Sequence, residues 1–158
     1  MSFIKYEDWD KSVPNAIKED SLWKMKVYRL SLFLGDIGWN DISTLFKDGR
    51  TKSISNQLYR AIGSISSNIA EGYSMGTGKN RARYYEYALG SSREARDWYY
   101  KGRHILENEI IEHRFLVLTE IIKLLLTMVP DQRNYSVNEK TEDYITGIHD
   151  APILNNED

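Results

Sequence analysis

Seven basic side chains crowd one stretch of this 158-residue chain: Lys79, Arg81, Arg83, Arg93, Arg96, Lys101 and Arg103. Tyr84, Tyr87, Trp98 and Tyr100 are interleaved with them. Guanidinium groups pair with phosphates through parallel hydrogen bonds, and aromatic faces stack on unpaired bases. The stretch is therefore a candidate nucleic-acid-binding surface. A second explanation fits the same residue types: the aromatics belong to a core and the arginines pair with Glu86, Glu94 and Asp97.

Charge is unevenly spread around this stretch. Residues 47–103 carry eleven Lys or Arg against five Asp or Glu, about +6, whereas residues 131–158 carry two against seven, or −5. The net charge of −2 thus hides a basic middle and an acidic end. Such a middle is either a face for a polyanion or a set of solvated helix surfaces.

Other chemistry finds little support. "GYSMGTGK" looks like a phosphate loop, but Gly72 lies one position too early for the Walker spacing. Asn80 also stands where the magnesium-binding hydroxyl belongs. The preceding element reads as a helix rather than a strand. "ENEIIEH" offers Glu109, Glu112 and His113, yet no Glu and His stand three apart, as ferritin-like sites require. There is no GxSxG elbow for a nucleophilic serine and no cysteine for a thiolate site. No catalytic residue, metal or cofactor is expected. The N-terminal "MSFIKYEDWDKSVPNAIKED" lacks the apolar core of a signal peptide, and runs such as "IIKLLLTMV" are too short to span a membrane. A cytoplasmic protein without membrane contact is the expectation.

These residues must be positioned by helices. No proline interrupts residues 15–129, and no useful period-two strand occurs. Four helices are predicted, at about 20–46, 54–73, 79–106 and 110–129. Tyr85, Ala88, Ser92, Ala95, Tyr99, Gly102 and Leu106 make a coiled-coil-like seam on the third. The fourth is apolar beyond a single stripe, which hints at a further partner. Ser53 is the expected N-cap of the second helix, and Pro130 the stop of the fourth. The chain divides into an N-terminal extension (1–19), the helical body (20–130) and a polar acidic tail (131–158), expected to be flexible. Phe3, Tyr6 and Trp9 should tie the extension to the body. The linker before the third helix should be an interhelical joint. Gly76 or Gly78 would have positive φ, Arg81 and Arg83 would point outward, and Tyr85 inward. Arg60, Asn68, Glu71 and Glu94 should form one hydrogen-bonded network between the second and third helices.

"QLYRAIGSISSNIAEG" (Gln57–Gly72), followed by "ALGSSRE" (Ala88–Glu94), resembles a bacterial family. Its members are four-helix bundle proteins encoded within intervening sequences of 23S ribosomal RNA genes. The resemblance rests on Gln57, Leu58, Arg60, Ala61, Ser64, Ile65, Ser67, Asn68, Ile69, Ala70, Glu71 and Gly72, then Ala88, Leu89, Gly90, Ser91 and Glu94. Ser66 stands where members commonly carry proline. The likeness covers about 22–129. It implies an all-α, up-down-up-down four-helix bundle that assembles as a homopentamer and is not an enzyme. A distant relative is the accessory protein of diversity-generating retroelements, a basic pentamer that binds nucleic acid and a polymerase. Structured RNA or a ribonucleoprotein is thus the expected ligand, and the alternative is a protein-interaction scaffold without nucleic acid.

Overall fold

The computed structural model describes residues 4–133, which are helical with no strand among them. The acidic segment from residue 134 onward and Phe3 lie outside the described residues. The described residues form six α-helices: α1 (Tyr6–Ser12), α2 (Asn15–Lys18), α3 (Lys26–Lys47), α4 (Lys52–Tyr73), α5 (Gly78–Gly102) and α6 (Asn108–Arg133), with a 3₁₀ turn at Ser21–Lys24. The four long ones correspond to the four predicted. The two short ones lie in the N-terminal extension. No described helix is long and apolar enough to cross a membrane.

Each long helix packs on the next in sequence, and α6 returns to α3. Specific contacts mark each of these pairings. Thr51 Oγ1 bonds the Leu45 carbonyl at 2.7 Å, Trp39 meets Tyr59, and Tyr73 reaches Ser21. Between α4 and α5, Gly72 lies against Tyr85, and Ser64 bonds Ser91. Between α5 and α6, Gly78 abuts Gln132, and Glu86 pairs with Arg133 at 2.7 Å. Between α3 and α6, Lys26 pairs with Glu120 and Arg114 with Asp41.

The seam expected on the third helix is buried along its whole length, from Tyr85 to Leu106. Its small residues, Ala88, Ser92 and Ala95, let α4 approach with Ile62, Ile65 and Ile69. That packing offsets the poor helix propensity of the serine-rich α4. In the extension Trp9 is buried, its ring 5.3 Å from Phe33 and 6.0 Å from Trp23, and its Nε1 donates to Asp36. The aromatic body thus docks α1 while its N–H keeps a partner.

Several boundaries differ from expectation. The first predicted helix is split, because Met25 is extended and separates the 3₁₀ turn from α3. At the start of α4, Thr51 occupies the cap position in place of Ser53, and its hydroxyl goes to Leu45 rather than to its own helix. Pro130 does not stop α6. A proline in a helix loses one hydrogen bond and crowds the preceding turn. Here the turn beyond it is held by packing on α5, through Gln132 and Arg133.

The glycine that closes "SNIAEG" has a packing role. A Cβ on Gly72 would lie 2.7 Å from the Tyr85 ring, whereas a Cβ on Gly90, in mid-helix, would meet nothing within 4 Å. Gly72→Ala should therefore destabilise the fold by about 1–3 kcal/mol through overpacking. Gly90→Ala should stabilise it by roughly 0.5–1 kcal/mol through helix propensity. Urea unfolding of the two variants checks the opposite signs.

Candidate nucleic-acid interface

The joint before α5 sets how this helix is presented. Thr77 is its N-cap, its hydroxyl accepting from the Asn80 N–H at 3.3 Å. No described glycine has positive φ, so the expected left-handed turn is absent. Instead the turn closes by ordinary backbone bonds, Ser74 N–H to Ala70 and Glu71 and Met75 N–H to Gly72. Gly78 is needed for a close approach, since a Cβ there would lie 2.5 Å from the Gln132 carbonyl oxygen. Tyr85 turns inward as expected and is buried. Arg83 is exposed, but Arg81 is half-buried and donates from Nε to the Met75 carbonyl at 2.8 Å. That contact gives the cation a carbonyl partner where the helix dipole disfavours it.

Six of the seven basic residues fall into two groups. Lys79, Arg81 and Arg83 stand at the α5 N-terminus. Arg83 bonds the Tyr87 hydroxyl at 2.6 Å and lies over its ring. Arg93, Arg96 and Arg103 follow at helical spacing with Tyr100 among them, on the flank beside α6. Arg93, Arg96, Asp97 and Tyr100 line a cleft there, together with Phe115 of α6. The Arg103 guanidinium lies 3.9 Å from the centre of the Tyr100 ring and donates to the Tyr100 carbonyl. Lys101 belongs to neither group. It pairs with Asp97 at 2.5 Å and lies over Trp98. Of the interleaved aromatics, Tyr87 and Tyr100 are exposed, whereas Tyr84 and Trp98 are half-buried.

The network expected between α4 and α5 does not form from the four residues named for it. Arg60, Glu71 and Glu94 are exposed, and no hydrogen bond among the described residues joins them to Asn68. Asn68 instead donates to the Ser64 carbonyl and hydroxyl at 2.7 and 2.9 Å. Ser64 and Ser91 hydroxyls then link the helices at 3.0 Å. Glu94 accepts from Trp98 Nε1 within α5. The reason is packing. The α4–α5 seam is made of small residues, so short hydroxyls meet across it while the long charged chains project from its sides.

The buried polar network lies elsewhere, and the sequence reading missed it. Arg114 of α6 is 5% exposed and Asp41 of α3 only 2%. Arg114 Nε donates to Asp41 Oδ2 at 2.7 Å, and its Nη2 to Asp41 Oδ1 and to the Ile37 carbonyl, each at 3.2 Å. Tyr99 of α5, fully buried, donates its hydroxyl to Asp41 Oδ2 at 2.9 Å. Gly38 leaves the space for this, since a Cβ there would lie 3.1 Å from that hydroxyl. Burial, then the Asp41 carboxylate, pushes the Tyr99 phenol well above its usual range, so it stays a donor. Signals were available: Asp41 continues the Ile37–Leu45 stripe, and Arg114 lies between Ile111 and Leu118. Opposite charges at two core positions are a mutual address.

His113, read above only as a poor metal ligand, borders this network. Arg114 can only donate, so His113 Nδ1 accepts from its Nη1 at 2.7 Å and the ring is neutral. Burial, then the Arg114 cation, lowers the His113 pKa to about 4.

A model of the 23S rRNA-intervening sequence protein family matches residues 24–128, two thirds of the chain. The match spans all of α3, α4 and α5 and most of α6, and with them the network and the basic flank. The chain belongs to this family. No curated protein and no solved structure matches it.

Two predictions follow from the network. Asp41→Ala leaves the Arg114 charge buried without its partner and should destabilise by about 3–5 kcal/mol. Asp41→Leu combined with Arg114→Met should cost far less, because both charges are removed together. A double-mutant cycle by urea unfolding checks the difference. His113 has a lowered folded pKa, so below pH ~6.5 the unfolded chain binds the proton more readily. Stability should therefore fall between pH ~6.5 and the folded value of about 4, and be fully present above that window. For a half-buried ring, screened by solvent, the loss is on the order of 1–2 kcal/mol. His113→Asn keeps an acceptor and should flatten that part of the pH profile relative to the parent protein.

Proposed function

We propose that this protein is a non-catalytic, cytoplasmic binding protein whose ligand is structured RNA or a ribonucleoprotein. Its four long helices act as an up-down-up-down bundle, and the working form is a homo-oligomer, the pentamer implied by the family resemblance. The observation that carries the reading is the basic flank of α5. Arg93, Arg96 and Arg103 lie in one row with an exposed Tyr100, on a helix whose other side is locked into the core. Six Lys or Arg against three Asp or Glu give α5 a charge of about +3, although the whole chain is at −2. A local field of that kind attracts polyanions where the net charge does not.

A second reading has its own observation. Trp39 and Tyr59 are 60% and 56% exposed, and their rings contact each other at 6.2 Å on the α3–α4 face. Exposed aromatic pairs of this kind anchor protein interfaces, which favours a scaffold that binds protein or another copy of itself.

Fluorescence anisotropy with a labelled RNA hairpin separates the two. Affinity should fall as salt rises, with a log–log slope that reports the phosphates contacted. Replacing Lys79, Arg83, Arg96 and Arg103 with Glu should abolish binding while native mass spectrometry shows an unchanged oligomer. Absence of binding at low salt, or binding indifferent to salt, would refute the RNA reading and favour the scaffold.

A further inference from the structure

The flank of α5 is more than a charged surface, because it contains a cleft. Arg93, Arg96, Asp97 and Tyr100 of α5 and Phe115 of α6 line an open groove of about 340 Å³. That volume sits at the lower end of the range for small-ligand pockets, about 300–1,000 Å³. It suits one mononucleotide unit and is far too small for a paired duplex.

The lining supplies two kinds of contact close together. Arg96 has no hydrogen-bond or ion-pair partner among the described residues. It is half-exposed, so its planar donor fork is available to a phosphate. Asp97 is the one carboxylate in the lining, and Lys101 neutralises it at 2.5 Å, which removes the main repulsion to an anion. Tyr100 is 53% exposed. One face of its ring is covered by the Arg103 guanidinium at 3.9 Å, which holds the ring in place and leaves the other face for a planar ligand. Phe115 adds an apolar wall from the neighbouring helix.

We propose that this cleft binds a single unpaired nucleotide, with its base against Tyr100 and Phe115 and its phosphate on Arg96. The inference rests on the RNA reading above and narrows it: the protein selects unpaired segments of a structured RNA rather than its duplex parts. A base inside a duplex is stacked on both faces and cannot enter such a cleft, whereas a looped-out base can. The Arg103–Tyr100 stack pre-orders the platform, so little ordering is left for the moment of binding.

The test compares a labelled single-stranded RNA ten-mer with a blunt RNA duplex of the same length, in parent protein and in Tyr100→Ala, Tyr100→Phe and Arg96→Ala. Tyr100 and Arg96 lie at the surface, and unchanged circular dichroism and thermal midpoint establish that each variant is folded. The single strand should bind more tightly than the duplex. Tyr100→Ala should lose about ten-fold in affinity for the single strand and nothing for the duplex. Tyr100→Phe should retain parental binding, and Arg96→Ala should weaken the single strand and lower its salt slope. Equal affinity for strand and duplex, with Tyr100→Ala without effect, would overturn the cleft while leaving the RNA reading intact. Loss in Arg96→Ala without loss in Tyr100→Ala would also overturn it, since that describes an anion contact with no base. No binding of either RNA at low salt would remove both readings together.

Discussion

The ion pair between Asp41 and Arg114 is the contact on which the other helices depend. Two charges have been taken out of water, and the desolvation penalty for each is several kcal/mol. It is offset only when the geometry is good and the remaining donors and acceptors are used. Here the guanidinium reaches both carboxylate oxygens, the Ile37 carbonyl and the His113 ring, while Tyr99 takes up a further acceptor site of Asp41. Three helices, α3, α5 and α6, thereby meet at one carboxylate. A slip of any of them by one turn would strand a buried charge. Apolar packing alone penalises such a slip less sharply, because one buried leucine substitutes for another with modest loss. The pair is thus weak evidence for extra stability and stronger evidence for a single register.

That register determines what α5 offers to solvent. With Tyr99 pinned inward, Tyr100 and the residues three and four positions away must emerge on the flank beside α6. Gly38 and Gly78 act in the same direction, each replacing a side chain with space for a neighbouring group: the Tyr99 hydroxyl in one case, the Gln132 carbonyl in the other. The core and the basic flank are therefore two faces of one helix, and the precision of the first is passed to the second.

How far the sequence could be read follows from the kind of signal each feature leaves. Periodic apolar residues recur many times, so the seam from Tyr85 to Leu106 was legible in full. Single-residue signals fared less well. Pro130 is a strong local stop, but the packing of Gln132 and Arg133 on α5 outweighs it. Ser53 has the right chemistry for a cap, yet the chain enters α4 two residues earlier in a way that sends the Thr51 hydroxyl across to α3. Arg60, Glu71 and Glu94 were placed in a network because polar residues near packing faces need partners. They are exposed at the rim of the seam, and Glu94 takes its hydrogen bond from Trp98 within α5 instead. Asp41 and Arg114 are 73 residues apart, and only the closure of α6 onto α3 brings them together. The basic group was visible as residue types, but the division into an N-terminal cluster, a Lys101–Asp97 pair and a cleft-lining row required coordinates.

The claim that one buried network holds α5 in place is tested most directly by proton NMR of the Arg114 side chain. If the account is right, the Arg114 Nε–H gives a resolved resonance that exchanges with water only as the whole protein unfolds, from pH 5 to 8. Its protection should then match that of the slowest backbone amides of α3 and α6. An Arg114 Nε–H that exchanges as fast as those of the surface arginines, while the core amides stay protected, would show that the pair is dispensable and that apolar packing alone sets the register.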